Sequence, residues 1–453
     1  MTDLRRNACP SLAVPMRTGD GFLARLPPLA RALTPDQLGA IAAAARAHGN
    51  GLVEISKRGN LQLRGLASLD TAALAADLAA AGLDLAEGLP VSSDPLAVLS
   101  EAAPDAAPII AAIHAGLAQS GIGARLAPKV ALALDLGTPT APAGVAADLR
   151  LAFRGAEVHL GLGGTHATAR WIGTVPADEA VTAALAILSV LAEHGPEARL
   201  VGPSGLRDDT SFARAVPTLR PAAAPGAPDA LPPVGRIDGL AEPSAGLAFP
   251  FGQSTADALA ALADAAGAAG IRAFAPAPER GLLFTGPAPA VANVLSEAAA
   301  LGFVTDRADP RRLISACIGS AGCASGHFPA RALAAASVGA LETLLDGSLA
   351  VHFSGCAKGC AHPEPADVTL SGIDKGAGLV LDGRARDTAI GFALPEKLVE
   401  QLALLGARRA EGETARAALD RIGQAGIVEA ITGGITAEHG GERGSSGGER
   451  LSA

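Results

Sequence analysis

A chain of 453 residues is longer than one hydrophobic core organises, so about two to four domains are expected. Hydrophobic residues at 49% against 18% charged make it globular, and the absence of Tyr with a single Trp leaves Leu, Val, Ile and Ala to fill its cores. A formal charge of −9 provides no basic field, which argues against nucleic acid as the main partner and makes any anion site a local one.

The opening "MTDLRRNACPSLAVPM" lacks the long apolar run of a signal peptide, and nowhere does the chain carry about 18 consecutive apolar residues free of charges and breakers. A cytoplasmic protein with no membrane span is expected. Residues 19–27 ("GDGFLARLP") predict a strand. Residues 33–65 ("LTPDQLGAIAAAARAHGNGLVEISKRGNLQLRG") predict a helix capped by Thr34 and ended at Gly49, then a strand, a turn and a second strand. The glycines of "HLGLGGTH" (159–166) lack the complete nucleotide-binding fingerprint and read as a strand-ending turn. "RPAAAPGAPDALPPVGR" (220–236) has no periodicity and reads as a Pro/Ala linker.

Past the linker the pattern begins again. Residues 254–286 align with 33–65 without a gap: Thr255 with Thr34, Leu259 with Leu38, Gly270 with Gly49, Leu282 with Leu61, Gly286 with Gly65. More loosely, 366–372 ("ADVTLSG") matches 147–153 ("ADLRLAF"), and 378–385 matches 157–164. The chain reads as one α+β unit duplicated, with a Gly/Ser-rich tail at the far end.

Only the second copy carries chemistry-bearing thiols. Five cysteines in a chain this long do not make a disulfide framework, so in a reducing compartment a cluster of them points to metal or catalysis. Cys317 and Cys323 lie six apart, Cys356 and Cys360 four apart, and a helix and a strand are predicted between the pairs. Cys9 reads as a free thiol. Zinc knuckles usually put two residues between ligands, whereas these wider spacings suit a [4Fe–4S] cluster, with structural zinc as the alternative. Glycines at 319, 322, 326, 355 and 359 allow backbone N–H groups to reach its sulfurs.

The cysteine spacing resembles that of the siroheme sulfite and nitrite reductases, which are also duplicated. "CIGSAGCASG", "SGCAKGCAHP" and the amino-terminal "CPSLAVPMRTGDGFLARL" resemble more closely the precorrin-3B synthases of aerobic cobalamin biosynthesis, members of that superfamily. The resemblance implies a pseudo-twofold architecture. Ferredoxin-like half-domains would occupy 1–92 and 241–305, α/β modules 93–215 and 306–430, a linker 216–240 and a disordered tail 431–453. Cys317, Cys323, Cys356 and Cys360 would hold a [4Fe–4S] cluster in the second module, with a tetrapyrrole beside it between the halves.

For a synthase, that tetrapyrrole is the metal-free substrate precorrin-3A. The resemblance implies its hydroxylation with O2, closure of a γ-lactone, a mononuclear non-haem iron, and electrons from a separate NADH-linked donor. Siroheme belongs only to the alternative, a sulfite or nitrite reductase; a non-catalytic iron–sulfur electron carrier is the third reading. "EISKRGNLQLRG" matches the reductases' anion-binding strand at Ser56, Arg58 and Gln62, with Arg64 on the same face as Gln62, so Arg58, Gln62 and Arg64 are expected at the substrate. Lys129 stands where the reductases begin a lysine pair. Ala131 occupies the second lysine position, and "GLPVSSDPLAV", with Ser92, Ser93 and Asp94, replaces an Arg-Asn pair. These losses favour the synthase, because reducing a small oxyanion needs several converging cations. His327, His352, His362, Glu364 and Asp367 lie near the cysteines, but the non-haem iron ligands stay unassigned.

Overall fold

The computed structural model describes residues 10–85, 88–99, 105–202, 204–228, 233–238, 240 and 242–433; Cys9 and residues 434–453 of the expected tail lie outside them. The first of two units, Met1–Asp309, begins with β1 (Met16–Thr18), β2 (Gly21–Arg25), α1 (Pro35–His48), β3 (Leu52–Ile55), β4 (Leu61–Leu66) and α2 (Ala72–Ala80). Thr34 caps α1 as predicted. Its hydroxyl accepts from the Gln37 N–H while the Gln37 side chain accepts from the Thr34 N–H, and Pro35 fills the first turn where no N–H is needed.

Next come β5 (Val91–Ser93), α3 (Pro95–Leu99), α4 (Ala106–Ser120), β6 (Leu132–Asp135), β7 (Leu149–Arg154), β8 (Glu157–Leu162), β9 (Arg170–Pro176), α5 (Ala180–Glu193) and α6 (Asp209–Arg214). The unit closes with β10 (Gly235–Ile237), β11 (Ser244–Ala248), β12 (Gln253–Thr255), α7 (Ala256–Ala269), β13 (Ala273–Ala277), β14 (Gly281–Thr285) and α8 (Ala288–Ala300). β10 falls within the stretch read as linker and forms the edge of a sheet by pairing with β11.

The repeat is visible in strand order. One sheet runs β1-β2-β4-β3, the other β10-β11-β14-β13, and α1 packs against α7. Each copy also lends its neighbour the residues ahead of its helix. β12 pairs antiparallel with β3 through Ser254 and Val53, while Leu33 and Phe274 exchange backbone hydrogen bonds of 2.8 and 2.7 Å. Leu33 aligns with Ser254 and Val53 with Phe274, so one contact is the symmetry mate of the other. Both copies bury their apolar faces in one core, where Leu38, Ile41 and Ala45 meet Leu259, Leu262 and Phe274. Each large apolar side chain buried there contributes about 1.5–3 kcal/mol.

The second unit, Pro310–Ala453, contains β15 (Ile314–Ala316), α9 (Ala330–Ala336), β16 (Val351–Ser354), β17 (Ala366–Ile373), β18 (Gly376–Gly383), β19 (Gly391–Ala393), α10 (Leu398–Gly406) and α11 (Ala415–Thr432). Its sheet β15-β16-β17-β18-β19 has the topology of β5-β6-β7-β8-β9: the first three strands are parallel and the last two join antiparallel. The helix predicted between the cysteine pairs is α9, and it stops at Ala336 as the weak helix formers Val338 and Gly339 follow Ser337 and the chain goes on in turns.

An aspartate, buried in the first module and partly exposed in the second, marks both. Asp148 takes the Ala131 N–H (3.0 Å) and a bidentate Arg199; Asp367 takes the Ala350 N–H (2.7 Å) and Arg416. Each pins the start of its module's third strand to the second.

Candidate functional site

β15 and β16 are parallel, with Ala316 opposite Phe353, so the residues just past both strands, Cys317 and Gly355–Cys356, emerge together at the carboxyl edge of the sheet. Open α/β sheets bind their ligands at this edge. The Cys317 N–H donates to the Phe353 carbonyl (3.2 Å), and the Gly355 N–H donates to Cys317 Sγ (3.1 Å).

The two cysteine loops are joined to each other. The His327 N–H donates to the Gly355 carbonyl (2.8 Å) and Lys358 Nζ reaches Ser325 Oγ (2.9 Å), while within the first loop the Cys323 N–H donates to the Gly319 carbonyl (2.9 Å). Gly319 has φ +67°, and a Cβ there would strike the Phe328 carbonyl and the Ala330 nitrogen. A Cβ on Gly355 would stand 2.7 Å from Gly319 Cα and 3.5 Å from Cys317 Sγ, so the loops approach this closely only as glycines.

Burial pushes the Cys317 thiol up, the Gly355 and Gly319 N–H groups oppose that shift, and the sulfurs of Cys356 and Cys323 add to it. Cys317 therefore lies within electrostatic reach of two partners. Cys360, exposed, follows four residues after Cys356 on the same loop. Among the described residues no three His, Cys, Asp or Glu side chains gather tightly enough to hold one metal ion. A zinc ion needs four ligands within about 2.3 Å of one point. Cys317 at the sheet edge, within reach of Cys323 and Cys356, with a backbone N–H aimed at its sulfur and glycine-lined loops around it, offers the donor set that a multi-iron group would use.

The same edge in the first module is closed. Asp94, directly after β5 as Cys317 is directly after β15, accepts the hydroxyls of Thr138 and Thr140 and the Thr138 N–H, and Asp135 at the end of β6 pairs with Arg154 at 2.9 Å. Burial raises the Asp94 carboxyl, and those threonine hydrogen bonds pull against it. A polar network thus occupies the place that thiols occupy in the second module.

The histidines and carboxylates near the cysteines are spread out. His327 pairs with Asp374 (3.3 Å), Asp367 is held by Arg416 and the Ala350 N–H, and Glu364 is exposed. His352 and His362 are buried with ring centroids 5.5 Å apart, and His362 Nε2 lies 3.2 Å from the Pro365 carbonyl. They do not form an iron-ligand set with a carboxylate among the described residues.

In the first unit Gln62 and Arg64 share a face of β4, and Leu61 and Leu63 point into the core. Arg64 is buried. Its fork takes both oxygens of Asp20 (2.9 and 2.7 Å), and Nη1 reaches Glu54 at 3.3 Å. Burial works against the Arg64 charge, but the charge of Glu54 and the hydrogen bonds of Asp20 raise its pKa above the ordinary arginine value. Arg64 is therefore occupied internally. Arg58 is different: it is exposed on the turn between β3 and β4, a turn that Ser56 Oγ braces by accepting the Arg58 and Asn60 N–H groups. Lys129 is exposed on the turn before β6.

A shallow cleft open to solvent is lined by Arg58, Asn60, Ser92 and Ser93, and also by Arg31, which no periodicity or motif marks. Comparing the two repeats picks out both arginines: Gly252 stands at the position of Arg31 and Glu279 at that of Arg58.

Three comparisons bear on this arrangement. The model of the nitrite/sulfite reductase ferredoxin-like half domain matches residues 14–81. The solved structure of the Mycobacterium tuberculosis NirA protein superimposes with a TM-score of 0.68 over 90% of this chain and 84% of that one; at 21% identity it establishes a shared fold. A precorrin-3B synthase from Sinorhizobium sp is 37% identical over 449 residues, 96% of either chain. Duplicated half-domains, paired modules and identity along nearly the whole length place this chain in the precorrin-3B synthase family.

Proposed function

We propose that the protein is an oxygenase of the precorrin-3B synthase type, inserting one oxygen atom of O2 into precorrin-3A at a meso-type carbon, after which a ring acetate closes a γ-lactone. The second oxygen atom leaves as water, with two electrons and two protons drawn from an NADH-linked donor. The observation that carries this reading is the near-full-length identity to a precorrin-3B synthase.

Cys317, Cys323, Cys356 and Cys360 hold a [4Fe–4S] cluster, which supplies single electrons when bound. What this chain contributes around it is a set of fixed sulfurs, an N–H from Gly355 stabilising the Cys317 thiolate, and loops that the His327 and Lys358 hydrogen bonds keep in register. Arg58 and Lys129, both exposed and without an internal ion partner among the described residues, grip substrate carboxylates. Gln62 offers its amide on the same strand as Arg64, which braces the sheet. A mononuclear non-haem iron is part of the proposal, with its ligands unassigned.

Among the described residues no helix is long and apolar enough to cross a membrane, and a water-borne polycarboxylate is a compatible substrate. The test is anaerobic purification, iron and sulfide analysis and an absorption spectrum, then incubation with precorrin-3A, reductant and O2. A broad cluster absorption and a product heavier by one oxygen are expected. Strong siroheme bands point instead to a reductase, and intact electron transfer without a hydroxylactone points to a carrier.

A further inference from the structure

We infer that the cleft lined by Arg31, Arg58, Asn60, Ser92 and Ser93 is an oxyanion-binding subsite that takes a carboxylate side arm of the substrate, with Arg31 as its second cation. This rests on the tetrapyrrole reading above and adds to it a residue and a set of donors that neither motif nor comparison assigns.

Three observations carry it. The cleft draws on separate segments of the first unit: the stretch after β2 bears Arg31, the β3–β4 turn bears Arg58 and Asn60, and β5 bears Ser92 and Ser93. No side chain of these five makes a hydrogen bond or ion pair among the described residues, and no acidic residue lines the cleft. Several guanidinium groups of the unit are spent internally, as Arg64 on Asp20, Arg154 on Asp135, Arg170 on Asp209 and Arg199 on Asp148, while the exposed Arg125, Arg214 and Arg220 lie outside this cleft. What sets Arg31 and Arg58 apart is that the two share one cleft with two serines and an asparagine, a concentration of donors in a chain of charge −9 that suits an anionic acceptor.

The duplication supplies an internal control. Residues that serve the fold recur in both copies, as Thr34 and Thr255 do at the helix caps and Asp148 and Asp367 at the third strands. Arg31 and Arg58 do not recur; Gly252 and Glu279 replace them. Folding the half-domain therefore does not require them. Two guanidinium forks and two hydroxyls are the donors that a carboxylate arm takes, and a free oxyanion such as sulfite or nitrite shares that chemistry.

The experiment is an anaerobic absorbance titration of the full-length, iron-loaded protein with precorrin-3A, run on wild type, Arg31→Ala and the double variant Ser92→Ala/Ser93→Ala, with parallel titrations of sulfite and nitrite. Arg31→Ala should weaken precorrin-3A binding by about 10- to 100-fold, as expected for a charge-assisted contact. The serine pair should weaken it several-fold, and added salt should narrow the gap between wild type and Arg31→Ala. Thermal midpoint and iron content should stay at wild-type values, because Arg31 is exposed and unpaired. Arg31→Ala binding precorrin-3A within twofold of wild type overturns the inference and leaves the functional reading standing. A wild type that ignores precorrin-3A but binds sulfite through Arg31 brings down the functional reading, and the carboxylate assignment with it.

Discussion

Replacing Arg64 with Ala separates a structural arginine from a ligand-binding one. The side chain of Asp20 is 1% exposed and that of Arg64 9%, and Glu54 stands at 3.3 Å on the other side of the fork. Removing the guanidinium leaves two carboxylates facing each other, one of them buried without a counter-charge. Breaking such a pair costs about 3–5 kcal/mol. Burial alone would push the Asp20 carboxyl up, but the hydrogen bonds and charge of Arg64, with the Thr18 hydroxyl, bring it below its ordinary value of 3.8. A depressed folded value means that the contribution is fully present above pH 3.8 and is lost as pH falls through the folded value. Urea unfolding of Arg64→Ala, followed by far-UV circular dichroism, should therefore show the full deficit at pH 7 and a shrinking one in acid. Arg58→Ala, with no internal partner to strand, should stay within about 0.5 kcal/mol of wild type. An Arg64→Ala protein as stable as wild type at pH 7 but deficient in precorrin-3A binding would refute this assignment and return Arg64 to the substrate.

Cys356→Ser and Cys360→Ser should each lose the visible iron–sulfur absorption and turnover together, whereas Cys9→Ser should keep its iron; turnover persisting without iron–sulfur absorption would remove the cluster from electron transfer. Leu33→Ala, at a position 3% exposed and paired with Phe274, should destabilise the first unit by about 2–5 kcal/mol in a denaturant titration. Asp148→Ala should cost about 3–5 kcal/mol because its side chain is fully buried and satisfies Arg199 and three backbone N–H groups; Asp367→Ala, with a side chain 25% exposed, should cost less. If the two variants are equally mild, the aspartates do not pin their strands.

Local signals in the sequence were enough for the duplication and for the two glycine-rich loops that carry the cysteine pairs. Helix caps, helix-ending glycines and strand alternation are written within a few residues of one another, so Thr34 and Thr255 could be read as caps and the cysteine pairs as neighbours from spacing alone. What those signals could not convey is which distant group meets which. Alternation correctly put Gln62 and Arg64 on one face, but Asp20 reaches Arg64 only because β2 pairs with β4, and that decides that Arg64 is braced inside and Arg58 left free. Arg31 sits in an irregular stretch with no period to announce it, and joins Arg58 only when β5 is laid alongside. The exchange between Leu33 and Phe274 and between Ser254 and Val53 belongs to the folded state as well, since backbone pairing between segments far apart in the chain leaves no trace in residue type. Short-range chemistry is legible in sequence because it depends on adjacent side chains. Long-range partnership is not, because it depends on how whole elements pack.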